Sequence, residues 1–370
     1  MATSSSNLRD VGLLFLKLGV LGFGGPAAHI ALMEEEVVRR RDWLSREEFL
    51  DLVGVVNLLP GPNSTELAIA IGRRRAGTSG LLVAGAAFIL PAAVIVLALA
   101  WGYVRYGHNP DVEGLWRGIK PVVVAVVAVA LVRFGATAIK SFELGFVAIV
   151  AIALTAVGVH ELLVLLASGL AAMALASRHR AGSTAALVLP WLVWADPGTG
   201  GAGSGWLFLF FLKTGAVLYG SGYVLLSFLR SGLVERGWLT ESQLLDAVAI
   251  GQVTPGPVFT TATFVGYLLA GWTGALSATL GIFLPAFLLV AVSDPLIRRI
   301  GRSPALRALL DGVNVGALAL MAVVTWQLGR SAVDSATTAI MGLAALVLLG
   351  LGLNSAVLVA AGALAGLILF

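Results

Sequence analysis

The sequence predicts an all-α polytopic membrane protein of two homologous halves, read as inverted repeats of about five spans each with broken or re-entrant Pro-Gly-Pro helices. Three observations carry that reading. The 370 residues are 58% hydrophobic and 12% charged, with mean hydropathy +0.95, where a soluble domain carries about 25% charge. Apolar runs (Ser79–Ala100, Val122–Leu131 with its flanks, Trp206–Leu229 with Lys213 as its one charge, Leu276–Val292, Ser335–Phe370) approach or exceed the ~18 residues that suggest a span. The chain also repeats itself.

The repeat is visible residue by residue. Phe15-Leu-Lys17-Leu-Gly19 returns as Phe211-Leu-Lys213-Thr-Gly215 at an offset of 196. Trp43-Leu-Ser45, Asp51 and Pro60-Gly61-Pro62 return as Trp238-Leu-Thr240, Asp246 and Pro255-Gly256-Pro257 at 195. Ala76-Gly77, Pro91 and Gly118 return as Ala270-Gly271, Pro285 and Gly312 at 194. An offset so nearly constant reflects duplication. It divides the chain into a repeat at 1–180, a glycine-rich linker at 181–205 and a second repeat at 206–370.

The polar first ten residues carry no cleavable signal pattern, so the first apolar segment is expected to remain as a span. Glycines then interrupt it at Gly22-Phe-Gly24-Gly25-Pro26, answered by Tyr219-Gly220-Ser221-Gly222. Ser45-Arg-Glu-Glu48 and Thr240-Glu-Ser-Gln243 match the capping box, which predicts a helix start at each. Both helices run into Pro-Gly-Pro. Three or four further apolar segments complete each half.

Basic residues choose between a Pro-Gly-Pro segment that crosses and one that dips and returns, because cytoplasmic loops are enriched in them. If it dips, the two faces hold 15 and 7 of the loop lysines and arginines; if it crosses, 13 and 9. The sharper split favours the hairpin and, with it, inverted halves.

A broken helix inside hydrocarbon is tolerated where protein or a water-lined cavity surrounds it, and secondary transporters place such breaks at the repeat interface. The half-helix that follows opens with free amides and the positive end of its dipole, which suits an anion. The candidate binding set is therefore Gly24, Gly25, Pro60, Gly61, Pro62, Asn63, Ser64, Thr65 and Glu66 in the first copy. The second copy contributes Gly220, Ser221, Gly222, Gln252, Pro255, Gly256, Pro257, Thr260 and Thr261, with Thr263 nearby. Paired proline kinks without a ligand are the alternative. Lys17 and Lys213 join the set as matched intramembrane cations, against the reading that they snorkel to the surface. Glu66 is read as a proton carrier or as a helix-end cap, His29 as a packed polar group, and Arg73-Arg-Arg75 as a topology anchor.

Phe23-Gly-Gly-Pro-Ala-Ala-His29, Leu58-Leu-Pro-Gly-Pro-Asn-Ser64 and Gly72-Arg-Arg-Arg-Ala-Gly77 closely resemble the chromate ion transporter family, and Gln252 to Pro257 with Gly281-Ile-Phe-Leu-Pro285 resembles its second half. The likeness implies a multi-pass carrier of the prokaryotic cytoplasmic (inner) membrane that exports chromate and confers chromate resistance, with sulfate as a competing ligand. An anion channel, or a transporter of sulfate or another oxyanion, is the alternative. A dianion leaving a negative interior gains about 4.6 kcal/mol per 100 mV, so export needs no obligatory proton. With no cysteine, no paired histidines at metal spacing and no Ser-His-Asp set, neither enzyme chemistry nor a cofactor or metal is expected. The partners expected are the oxyanion and membrane lipid, not nucleic acid; the oligomeric state, homodimer included, stays open.

Overall fold

The computed structural model describes residues 2–107, 109–177, 203–219, 222–300 and 303–370. The linker residues 178–202 and the pair Gly220 and Ser221 fall outside it. Fourteen α-helices and no strand occur among the described residues. Seven helices in the first half, α1 (Ala2–Leu21), α2 (Gly25–Glu34), α3 (Arg46–Val56), α4 (Asn63–Tyr106), α5 (Pro110–Ala138), α6 (Phe142–Ala156) and α7 (Glu161–Ser177), are answered in order by seven in the second. These are α8 (Ser204–Val217), α9 (Leu225–Leu229), α10 (Glu241–Val253), α11 (Thr261–Ile300), α12 (Pro304–Ala332), α13 (Ala336–Gly350) and α14 (Ser355–Leu369). α2 and α9 each continue into a π-helical turn, Glu35–Arg40 and Arg230–Val234.

Three apolar stretches have a finer structure than their hydropathy alone describes. α2 doubles back on α1: the His29 ring sits 2.9 Å from the Gly22 carbonyl, and Glu36 meets Lys17 at 2.6 Å. The first apolar segment is thus one arm of a hairpin. Trp206–Leu229 breaks after Val217, and Ser335–Phe370 divides into two 15-residue helices at Leu351–Asn354. The glycines of Tyr219–Gly222 mark the first of these breaks in the sequence, while uniform apolarity hid the second.

Both predicted capping boxes form. Ser45 and Thr240 each accept from the backbone amide three residues on, and Glu48 and Gln243 reach back to the cap amides. Removing such a cap typically costs about 1 kcal/mol. The backbone bond from Ser45 also holds the Glu48 carboxyl below the ordinary carboxylate range.

α4 is two arms. At Ala76 (φ −140°, ψ 24°) and Gly77 (φ 64°, ψ −149°) the chain reverses, and Ala270 (−144°, 26°) and Gly271 (60°, −146°) repeat the turn in α11. Gly77 and Gly271 occupy a region that is essentially glycine-only. Residues 63–75 then lie against 78–106 so closely that a Cβ on Gly72 or Gly80 would run into the other's carbonyl; Gly266 and Gly274 repeat this. α1 packs alongside the second arm of α4, Gly12 at Val83 and Gly19 at Phe88 and Pro91. Small residues allow such close helix contact in a membrane protein.

The halves hold each other by exchanged contacts. α7 lies on α12, with Ser168 and Gly169 against Gly312 and Val313, while α14 lies on α5, with Gly362 and Gly366 against Gly118 and Gly114. Lys140 pairs with Asp311 at 2.6 Å and Arg117 with Asp334 at 3.0 Å. Position 140 corresponds to 334 and 117 to 311, so one ion pair recurs with its charges swapped. Arg117's hydrogen bond is the main cause that keeps the Asp334 carboxyl below its usual range.

Candidate functional site

The two Pro-Gly-Pro segments meet the opposite half's glycine break. The Gly61 amide donates to the Leu218 carbonyl at 2.8 Å, and the Gly256 amide donates to the Gly22 carbonyl at 2.7 Å. Leu218 corresponds to Gly22 and Gly256 to Gly61, so the two bonds are a reciprocal pair. Gly61 (φ 135°) and Gly256 (φ 89°) both need the left-handed backbone that glycine accepts. Each predicted Pro-Gly-Pro turn is therefore joined to the chain on the inner side of the other half's glycine break.

From that crossing two helices begin without a side-chain cap. α4 starts at Asn63 after Pro62, and a short 3₁₀ turn, Val258–Thr260, leads from Pro257 into α11. The Thr65 and Glu66 amides return to the Pro62 carbonyl, which leaves those of Asn63 and Ser64 as the first-turn donors. The Gly61 and Gly256 amides, expected to face a ligand, are engaged in the bonds between halves.

The predicted side chains divide. Asn63 Nδ2 donates to Asn57 Oδ1 at 2.8 Å across the break. In the second copy Gln252, which replaces Asn57, accepts from the Tyr223 hydroxyl at 3.1 Å, and its own Nε2 is buried without a partner. Thr260 and Thr261 give their hydroxyl protons to the carbonyls of Pro257 and Val258, and Thr263 bonds Thr279 at 2.7 Å. Thr65 keeps a buried hydroxyl with no partner, beside a Ser64 that is 2% exposed. Gly24 (φ 103°) and Gly25 (φ 79°) form the turn into α2, and Gly222 opens a 3₁₀ turn against Phe259. Gly220 and Ser221 lie outside the described residues. A narrow gap lies between Gly222, Tyr223, Leu226, Val258 and Thr261.

The charged candidates differ more sharply. Lys17 is 46% exposed and tied to Glu36, which also receives Arg40 and Arg41. Lys213, its counterpart, is half-buried and has no ion pair among the described residues; Gly232 stands where the first half has Glu36. Glu66 is fully buried with both carboxyl oxygens unpartnered, and a Cβ on Gly61 would meet its Oε1. Arg73 reaches across the interface to the Val290 carbonyl, and Arg75 covers Trp43 at 5.0 Å.

One buried acid escaped sequence reasoning as a site. Asp246, 2% exposed, accepts from the Tyr103 hydroxyl of the other half at 2.8 Å, while its second oxygen has no partner. Its repeat counterpart Asp51 is exposed. The match of the two aspartates was visible; their opposite burial was not.

Comparison with known proteins gives a consistent result. The family model described as "Chromate transporter" matches residues 9–173 and 206–367. A "Probable chromate transport protein" of Synechococcus elongatus is 32% identical, covering 98% of this chain and 95% of the relative. "Chromate transport protein" of Cupriavidus metallidurans is 33% identical (98% and 93% covered), and that of Pseudomonas aeruginosa 34% (96% and 91%). No solved structure matches.

Proposed function

The chain belongs to the chromate transporter family, and we propose that it exports chromate, or a sulfate-like oxyanion, by alternating access at the crossing of its two halves. The observation that carries this reading is the reciprocal pair Gly61–Leu218 and Gly256–Gly22. Each Pro-Gly-Pro turn in it leads into an uncapped helix start, worth about half a positive charge. A tetrahedral dianion is the ligand that such a pair of dipole ends favours. Breaking and remaking the two equivalent bonds in alternation supplies two states of one site, as repeat-based carriers require.

The reading places the halves in opposite orientation. In support, the end of the first hairpin near its turn (Leu67, Ile69, Leu81, Ala84) shares a core with Ala286 and Val290, far from the turn of the second. α7 and α12 run antiparallel, Leu165 at Gly316 and Ser168 at Gly312, as do α14 and α5. In this arrangement α1–α2 and α3 with the first arm of α4 are hairpins that dip from one face and return. The second arm of α4, α5 and their counterparts in α11 and α12 are long and apolar enough to cross. Arg9 moves to the face of Arg39–Arg41 and Arg73–Arg75, which widens the basic asymmetry. That face is cytoplasmic by the positive-inside rule.

Two measurements test the proposal. Inverted membrane vesicles containing the protein are expected to accumulate labelled chromate in a way that excess sulfate reduces; no accumulation above protein-free vesicles removes the carrier reading. Single cysteines placed as Ser45→Cys and Ala76→Cys in this cysteine-free chain are expected to react with an impermeant thiol reagent from the same face. Reaction from opposite faces would show that the Pro-Gly-Pro segment crosses.

A further inference from the structure

Glu66 lies in the first turns of α4 with no solvent exposure and no hydrogen-bond partner for either oxygen, turned back toward Gly61. A buried carboxylate without partners is strongly disfavoured as a charge unless something compensates it. What stands beside it is the positive end of its own helix, the feature that makes the crossing an anion site. The second half has Thr261 at the equivalent position, with its hydroxyl proton given to Val258. One helix start thus carries an acid of its own and the other does not.

From this we propose that Glu66 is a tethered anion: it occupies the α4 start when the carrier is empty, and a bound oxyanion obliges it to take up a proton. The inference rests on the oxyanion-carrier reading and adds proton linkage to it. Two negative groups at one buried helix start repel, so the oxyanion binds well to the Glu66 carboxylic acid and poorly to the carboxylate. More protons are bound in the loaded state than in the empty one, so affinity rises as pH falls.

Asp246 on α10 is the other buried acid packed against α4, held by the Tyr103 hydroxyl on the second arm, and the Glu66 variants separate its titration from that of Glu66. Tyr219, on the chain leaving α8, lies within electrostatic reach of Glu66. His29 on α2 is turned to the Gly22 carbonyl, Lys17 on α1 to Glu36, Arg73 on its own arm to Val290, and Glu48 on α3 to its capping box. From α11, residues 261–290 contribute no acidic or basic side chain.

The test is equilibrium binding of labelled sulfate and labelled chromate to purified full-length protein between about pH 5 and pH 9. Sulfate keeps its charge over this range, so a pH effect on it belongs to the protein. Wild-type affinity is expected to fall about tenfold per pH unit above the transition. Glu66→Gln, and Glu66→Thr which installs the second half's residue, are expected to bind with flat pH profiles and at least tenfold more tightly at the alkaline end. Variants that follow the wild-type profile, or that bind more weakly at every pH, overturn the tethered-anion role. Absence of binding in wild type and variants alike overturns the carrier reading beneath it.

Discussion

Gly256→Ala is expected to lower chromate transport at least tenfold with the protein still present in the membrane, whereas Gly352→Ala leaves it near wild type. Both glycines sit at φ 89°, so each substitution pays the same left-handed backbone cost, about 1–2 kcal/mol. They differ in surroundings. A Cβ on Gly352 meets nothing within 4 Å, while one on Gly256 would stand 2.7 Å from the Ala92 Cβ and 3.3 Å from the Gly19 carbonyl oxygen. That contact lies in the crossing itself, so relieving it pushes the second Pro-Gly-Pro away from α1 and α4 and stretches the Gly256–Gly22 bond. Tight cores resist such overpacking by about 1–3 kcal/mol, and here the strain falls on the element that has to switch. Vesicle uptake normalised to protein amount reads the difference. Equal uptake by the two variants would mean that the bond between halves is scaffolding rather than part of the transport cycle.

Much of this crossing was legible before any coordinates, and the reason is duplication. A break found once in an apolar chain is ambiguous; found twice at a constant offset, as Pro60-Gly61-Pro62 and Pro255-Gly256-Pro257, it marks a built feature. The capping boxes were legible because their side chains act within three residues. What stayed hidden depends on direction and partner. Hydropathy says that residues 11–21 are apolar, not that α2 returns along them. Ala76-Gly77 and Ala270-Gly271 align as letters, but only their backbone angles reveal a reversal. Lys17 read as an isolated cation because Glu36, its partner at 2.6 Å, lies 19 residues away on a returning segment. The swapped pairs Lys140–Asp311 and Arg117–Asp334 leave no trace in the repeat, because opposite charges stand at equivalent positions. Charge reversal at equivalent positions is invisible to identity.

Counting the charge that crosses per oxyanion separates two versions of the mechanism, and the expected counts are one for wild type and two for Glu66→Gln. A dianion that travels with the Glu66 proton moves one net negative charge; with glutamine in place, no proton accompanies it and both charges move. Each charge is worth about 2.3 kcal/mol per 100 mV, and a factor of ten in concentration is about 1.4 kcal/mol. At 100 mV the limiting gradient is therefore about fiftyfold for one charge and more than a thousandfold for two. Proteoliposomes under a series of potassium diffusion potentials, at equal alkaline pH on both sides where chromate is the dianion, give the count from the slope of log accumulation against voltage. In this assay Glu66→Gln keeps potential-driven transport, because a net charge still moves without the proton. Total loss of transport in that variant would make the acid an obligatory proton carrier. A slope of two in wild type would mean that the Glu66 proton returns to the face it came from. Accumulation independent of voltage in both proteins would instead point to electroneutral exchange, and the membrane potential would no longer account for the direction of export.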